Sequence, residues 1–236
     1  MKNLKKISVL VVLIAFSYPL LAQKTTIRVL PNLSLFSFAG KGVTKSTLAL
    51  VNPRGGKSSV LTPFGSKYTP SYGITVDVRH ITKDNFVEGV DFGLDILRSN
   101  VKIGGIENTT PSAIIISNAS GDSYLTHQFL TLNPYYGYRF QTRGVNIEWT
   151  CGVDIAYNIT GKAKVKVNSP NTTFESTIKS TMWDVRPNTQ IAFSLADVLG
   201  LYIGYSHGLV NYKADVLSTE SRFSRLIRLG LIFRVH

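Results

Sequence analysis

The sequence predicts an all-β fold: a closed, antiparallel, up-and-down transmembrane β-barrel of eight strands. Three observations lead there. Eight stretches from Ile27 onward alternate apolar and polar residues with period two, so each has two unlike faces. The connections between them run long, short, long, short, long, short, long, as they do when short turns gather at one rim of a barrel and long loops at the other. After the N-terminus, no segment is apolar for the roughly 20 residues that a spanning helix requires.

The N-terminus reads as an export signal. Lys2, Lys5 and Lys6 form a basic start, Ile7 to Leu21 is a nearly continuous apolar run, and Ala22-Gln23 offers a cleavage point. Residues 1–22 are therefore expected to be a signal peptide and residues 23–236 one outer-membrane barrel domain. The single cysteine, Cys151, excludes an internal disulfide.

The clearest strand is Val145–Tyr157. Its Ile147, Trp149, Val153 and Ile155 share one face, and Glu148, Thr150, Gly152 and Asp154 share the other. The alternation recurs in Tyr72–Arg79, Val90–Ile96, Leu130–Phe140, Asn188–Leu195, Leu199–Ser206 and Ile227–His236. The first strand, Ile27–Phe38, is less regular, and its Pro31 suggests a position near a rim. Tyr72, Phe86, Tyr124, Tyr157, Tyr212 and Phe223 near strand ends suggest aromatic girdles at two membrane interfaces. Ala39–Ser71, Ser99–Ser123 and Asn158–Thr181 are the long connections, with Ala163–Val167 and Phe174–Ile178 prolonging the last as a hairpin. Ile81–Asn85, Gln141–Gly144 and Ala196–Val198 are the short ones, and Asn211–Ser221 is of medium length.

In lipid the apolar face of each strand turns outward and the polar face lines the lumen. That assigns Asp77, Arg79, Asp91, Asp95, Arg139, Glu148, Asp154, Asp184, Arg186, Arg228 and Arg234 to the interior. Acids and bases are nearly balanced, and an eight-stranded barrel is only wide enough for its own side chains. Mutual pairing into a plug is therefore expected rather than a charged channel, with Arg139 and Glu148, which flank one short turn, as a candidate pair. The formal charge of the chain is +12, and the surplus falls in the outer connections. The first carries Lys41, Lys45, Arg54, Lys57 and Lys67 with no acid. The third long one carries Lys162, Lys164, Lys166 and Lys179 against Glu175. For an exported chain this points to outer-membrane lipid and lipopolysaccharide phosphates, or a protein partner in the outer membrane, and away from nucleic acid.

No catalytic, cofactor or metal constellation emerges. Gly55-Gly56-Lys57-Ser58 lacks the first glycine of a phosphate loop, whose position is Val51. His80, His127, His207 and His236 have no partner at metal-ligand spacing. Ser123 with His127 is a conceivable nucleophile–base pair, but no orienting acid is apparent.

Four segments in order resemble the PorT-like, porin-like outer-membrane β-barrel family: Leu132-Asn133-Pro134-Tyr135-Tyr136-Gly137-Tyr138-Arg139-Phe140, Cys151-Gly152-Val153-Asp154, Tyr205-Ser206-His207-Gly208-Leu209-Val210-Asn211 and Leu229-Gly230-Leu231-Ile232-Phe233. The resemblance implies a small closed barrel behind a signal peptide and no catalytic residue. The chain departs from outer-membrane barrels that end on an aromatic, since it closes on Val235-His236. The expected role is that of a non-enzymatic membrane scaffold or interaction protein with basic extracellular loops and a charge-plugged lumen, in the Gram-negative outer membrane. The alternatives are a small-solute porin and, from the family resemblance, an accessory subunit of an outer-membrane secretion or assembly complex.

Overall fold

The computed structural model describes residues 25–51, 58–109, 114–168, 171–177, 182–195, 199–212 and 220–235. The predicted signal peptide lies outside these residues, as do Arg54, Lys57, Lys179 and the 196–198 connection. The strands are β1 (Thr25–Ala39), β2 (Ser46–Val51), β3 (Ser59–Val60), β4 (Thr69–Ile81), β5 (Phe86–Thr109), β6 (Ile114–Gln141), β7 (Val145–Asn168), β8 (Asn171–Thr177), β9 (Trp183–Leu195), β10 (Leu199–His207) and β11 (Phe223–Arg234).

Eight of them close a ring in the order β1, β4, β5, β6, β7, β9, β10, β11, with β11 pairing back to β1. Every neighbouring pair in the ring is antiparallel. The result is the predicted eight-stranded up-and-down barrel. Closure satisfies the backbone donors and acceptors that an open sheet leaves at its edges.

Two of the short turns form where a residue tolerates a left-handed backbone. Asn85 (φ 64°) ends the β4–β5 turn and Gly144 (φ 93°) ends the β6–β7 turn.

The period-two pattern sorts the two faces. Leu33, Trp149, Leu201 and Leu229 point outward, with Leu33 70% and Leu229 57% exposed, while Arg28, Asp77, Asp154 and Arg186 on the same sheet are buried inside. The belt continues around the ring through Ile74, Phe92, Leu130, Ile155 and Ile191. Phe86, Tyr136, Tyr138 and Phe140 make a chain of ring contacts beside the short turns, and Tyr157 meets Trp183 at 4.8 Å nearer the other rim.

Three expectations are corrected. Ser99–Ser123 is not a loop: β5 runs to Thr109 and β6 begins at Ile114, paired along this length apart from a shift near Ile103. The alternation here is masked by the Gly104-Gly105 pair and by Ser and Asn residues. Ala39–Ser71 contains β2 and β3, and β2 runs parallel to β5 along Lys102–Asn108. Pro31 lies in mid-strand, paired with Ile74 of β4, and the β1–β11 ladder skips Leu30 and Pro31, since proline cannot donate a ladder hydrogen bond.

The barrel is lopsided as a result. β4 pairs with β5 only as far as Ile96, and β9 pairs with β7 only as far as Tyr157. Beyond those points β2 takes over the edge of β5 and β8 the edge of β7. A second sheet, β3-β2-β5-β6-β7-β8, thus projects from one sector of the long-loop rim. It has its own small core of Ala49, Ile103, Ile106, Val165 and Val167.

Candidate functional site: a filled interior and a basic outer face

The interior is filled in three layers. At the short-turn end, three arginines converge on one carboxylate. Glu148 accepts from Arg139 Nε at 2.9 Å and Nη2 at 2.6 Å, from Arg79 Nη1, and from Arg28 Nη1 at 3.4 Å. Arg28 also donates through Nε to Asp77, whose second oxygen accepts the Tyr135 hydroxyl at 2.6 Å. Asp91 faces Asp77 across the β4–β5 ladder and accepts from Asn133 at 2.9 Å.

In the middle layer Arg228 bridges two acids, reaching Asp95 at 2.9 Å and Asp154 at 2.8 Å. Asn188 and Ser206 also donate to Asp154, both at 3.1 Å. Tyr202 reaches in from β10 over Gly230, where an added Cβ would sit 2.4 Å from its ring.

The upper layer sets the buried pair Asp184–Arg186, 2.6 Å apart, beneath an aromatic cap. Tyr212 and Ser224 donate to Asp184 at 2.8 and 2.6 Å, and the Arg186 guanidinium lies 4.5 Å from the centre of the Phe129 ring. Phe36, Phe38, Phe64 and Tyr212, all fully buried, close the mouth with edge-on contacts, and Phe64 is brought in by the first long connection. The guanidinium of Arg222 sits 5.1 Å over Phe64. Tyr212, expected in a girdle, is part of this cap. The polar gaps left between the layers, about 20 and 10 Å³, are both lined by Asp91, Asn133 and Asn188.

The structure thus brings Asp77, Arg79, Asp91, Asp95, Arg139, Glu148, Asp154, Asp184, Arg186 and Arg228 into contacts inside the ring. Arg234, half-buried near the end of β11, lies across from Arg28 in register. Sequence reasoning missed Arg28, although Thr26, Arg28, Leu30 and Asn32 alternate with Ile27, Val29 and Pro31. It also missed Tyr135, Tyr202 and Arg222. Ser123 and His127 are both fully buried in the interior. His127 lies 3.3 Å from Asn158 and packs among Phe38, Phe129 and Tyr212.

Of the basic residues predicted outside, Lys41 and Lys45 flank the exposed start of the first connection, and Lys67 bridges to Asn100 of β5. Lys162, Lys164 and Lys166 stand in a column on the outer face of β7, opposite Thr126, Tyr124 and Asp122 of β6. Lys102 of β5 joins them, 2.8 Å from Asp122. Burial pushes the Asp122 carboxyl up, but hydrogen bonds from Lys102 and Asn100 outweigh it and hold the group below the usual carboxylate range. The hydrogen bond to Asp122 raises Lys102. Among the described residues no cluster of three or more metal-ligating side chains occurs.

No family model matches the chain, and no curated protein sequence matches it. Among solved structures, the chain is similar to Ail, the attachment invasion locus protein of Yersinia pestis, in complex with the heparin analogue sucrose octasulfate. The identity is 9% and the TM-score 0.43, over 90% of this chain and 99% of that one. It is also similar to Neisserial surface protein A, at 11% identity and a TM-score of 0.41, over 89% of this chain and 99% of that one. At these values the barrel rests on the strand pairing of the chain itself.

Proposed function

We propose that the chain is a non-enzymatic outer-membrane barrel that acts as a scaffold or interaction protein, presenting the projecting β2–β3–β5–β6–β7–β8 sheet outside the cell. In this reading residues 1–22 are removed on export, the short turns face the periplasm, and lipid covers the outward belt. One observation carries the reading: a closed ring with an apolar outside and a paired, polar inside. A soluble barrel has the reverse need, because an exposed belt containing Leu33, Leu201, Leu229 and Trp149 is a large unfavourable surface in water. In hydrocarbon the same belt is solvated, and the closed ring leaves no unpaired strand edge within the membrane.

The filled lumen argues for contact rather than passage. Three salt-bridged layers and an aromatic cap stand across any axial path. Purified wild-type protein is expected to migrate faster on unheated than on heated detergent gels and to conduct little or no current in planar bilayers. A stable ohmic channel of nanosiemens scale would replace this reading with that of a small-solute porin.

A further inference from the structure

The outward face of β5, β6 and β7 changes character row by row. Residues directly opposite in the ladders define the rows. Leu94–Leu130–Tyr157 is apolar, and Ile96–Gln128–Thr160 is mixed. Above them stand Arg98–Thr126–Lys162, Asn100–Tyr124–Lys164 and Lys102–Asp122–Lys166. Five cations therefore crowd three successive rows. Asp122 engages Lys102, and Glu175 of β8 lies 3.4 Å from Lys164. Arg98, Lys162 and Lys166 are exposed and have no carboxylate within ion-pair distance among the described residues.

Height decides what such a cluster meets. Rows on one face are about 6.6 Å apart along a strand, so the first basic row lies roughly 10 Å above the last apolar one once a tilt of about 40° is allowed for. That is a few ångströms beyond a bilayer's polar zone, about 5–8 Å deep on each side, and lysine and arginine stems bend back toward it, whereas the Lys102–Asp122–Lys166 row stands roughly 20 Å up and out of reach. Among the described residues, the outward face of the β10–β11 side carries only His207 and Arg225 as basic residues, opposite each other, near the ends of their strands. Arg225 is held by the Phe38 carbonyl at 3.3 Å and by the Tyr68 ring at 5.4 Å.

We propose that the outer face of β5–β7 is a binding site for the phosphates of a phosphorylated glycolipid of the outer leaflet. Arg98 and Lys162 hold the phosphates, and Ile96, Leu130 and Ile159 receive the acyl chains. This rests on the membrane reading above and adds the ligand and its place. The continuity of the two surfaces favours a lipid over a soluble polyanion, which has no use for Leu130 (53% exposed) and Ile159 (50% exposed) beneath the charges.

The test uses the mature chain folded in detergent micelles, with fluorescent bisphosphorylated lipid A as the probe. Arg98→Gln/Lys162→Gln is expected to weaken binding by roughly 30-fold, from loss of two surface cations beside an anionic headgroup. Fully dephosphorylated lipid A should bind wild type as weakly as lipid A binds the variant. Lys41→Gln should leave the affinity within a factor of about two, because Lys41 precedes Gly42, whose backbone N–H bonds Ser221 next to β11, away from the β5–β7 face. Unchanged binding by the double variant overturns the site. So does loss of binding in the Lys41→Gln variant alone, or inositol hexakisphosphate binding as tightly as lipid A. Heat-modifiable migration separates this from the parent reading. A wild-type chain that never inserts refutes the membrane barrel, whereas one that inserts and binds no lipid A refutes only the lipid site.

Discussion

Glu148 is the side chain on which the lower interior depends most. It serves three guanidinia, and Arg79 and Arg139 have no other carboxylate within ion-pair distance among the described residues, whereas Arg28 also has Asp77. Glu148→Gln keeps the shape and removes the charge, leaving two buried cations uncompensated. Breaking a buried pair costs about 3–5 kcal/mol, so about 4 kcal/mol is expected. Arg139→Met removes only one of the three donors, and Glu148 retains Arg79 and Arg28. The loss is then mainly two charge-assisted hydrogen bonds, partly offset by apolar packing, or about 2 kcal/mol. With Glu148 already neutral, Arg139 has little left to lose, and the double variant should cost about 4 rather than about 6 kcal/mol, a coupling of about 2 kcal/mol. Reversible urea titration in micelles measures all three, followed by fluorescence of Trp149 and Trp183, the two tryptophans of the chain. Additivity within about 0.5 kcal/mol refutes the shared-carboxylate account. So does a larger loss for Arg139→Met than for Glu148→Gln.

Val153→Arg on the outward face should destabilise the folded barrel by about 2–4 kcal/mol, whereas Val153→Leu at the same site should change little; equal tolerance in urea titrations would argue against a lipid-facing belt. Single cysteines at Ser58 and Asn168, in a Cys151→Ala background, should react with an impermeant maleimide on intact cells, and one at Asp84 should not. Labelling at Asp84 alone would invert the orientation. The Lys102–Asp122–Asn100 contact should be sensitive to acid. Asp122 is held below its usual value of 3.8, so its contribution is present above that pH and is lost as the pH falls through the folded value. Hydrogen exchange across the β5–β6 extension should accelerate there, and Lys102→Gln should shrink the change.

Much of the barrel is legible in one dimension, because the code for a strand in lipid is local. Residues two apart share a face, so Trp149, Val153 and Ile155 separate from Glu148 and Asp154 without knowledge of any neighbour. The Arg139–Glu148 contact was within reach too, since a short turn ending at Gly144 fixes the register of the strands on either side. The inward face of β1 was equally readable, yet Pro31 drew attention to the rim and away from Arg28.

What tertiary structure alone decided depends on register between strands far apart in sequence. Arg228 meets Asp95 and Asp154 only because β11, β5 and β7 face one lumen. Asp184 finds Tyr212 and Ser224 only after β9, β10 and β11 align. The parallel pairing of β2 with β5 has no turn to announce it. The rows of cations on β5–β7 depend on a register shift between Gln128 and Phe129 that brings Thr126 opposite Lys162. Alternation along a chain specifies which way each side chain points. Which partner waits there is set by the closure of the ring, and no period-two pattern encodes that.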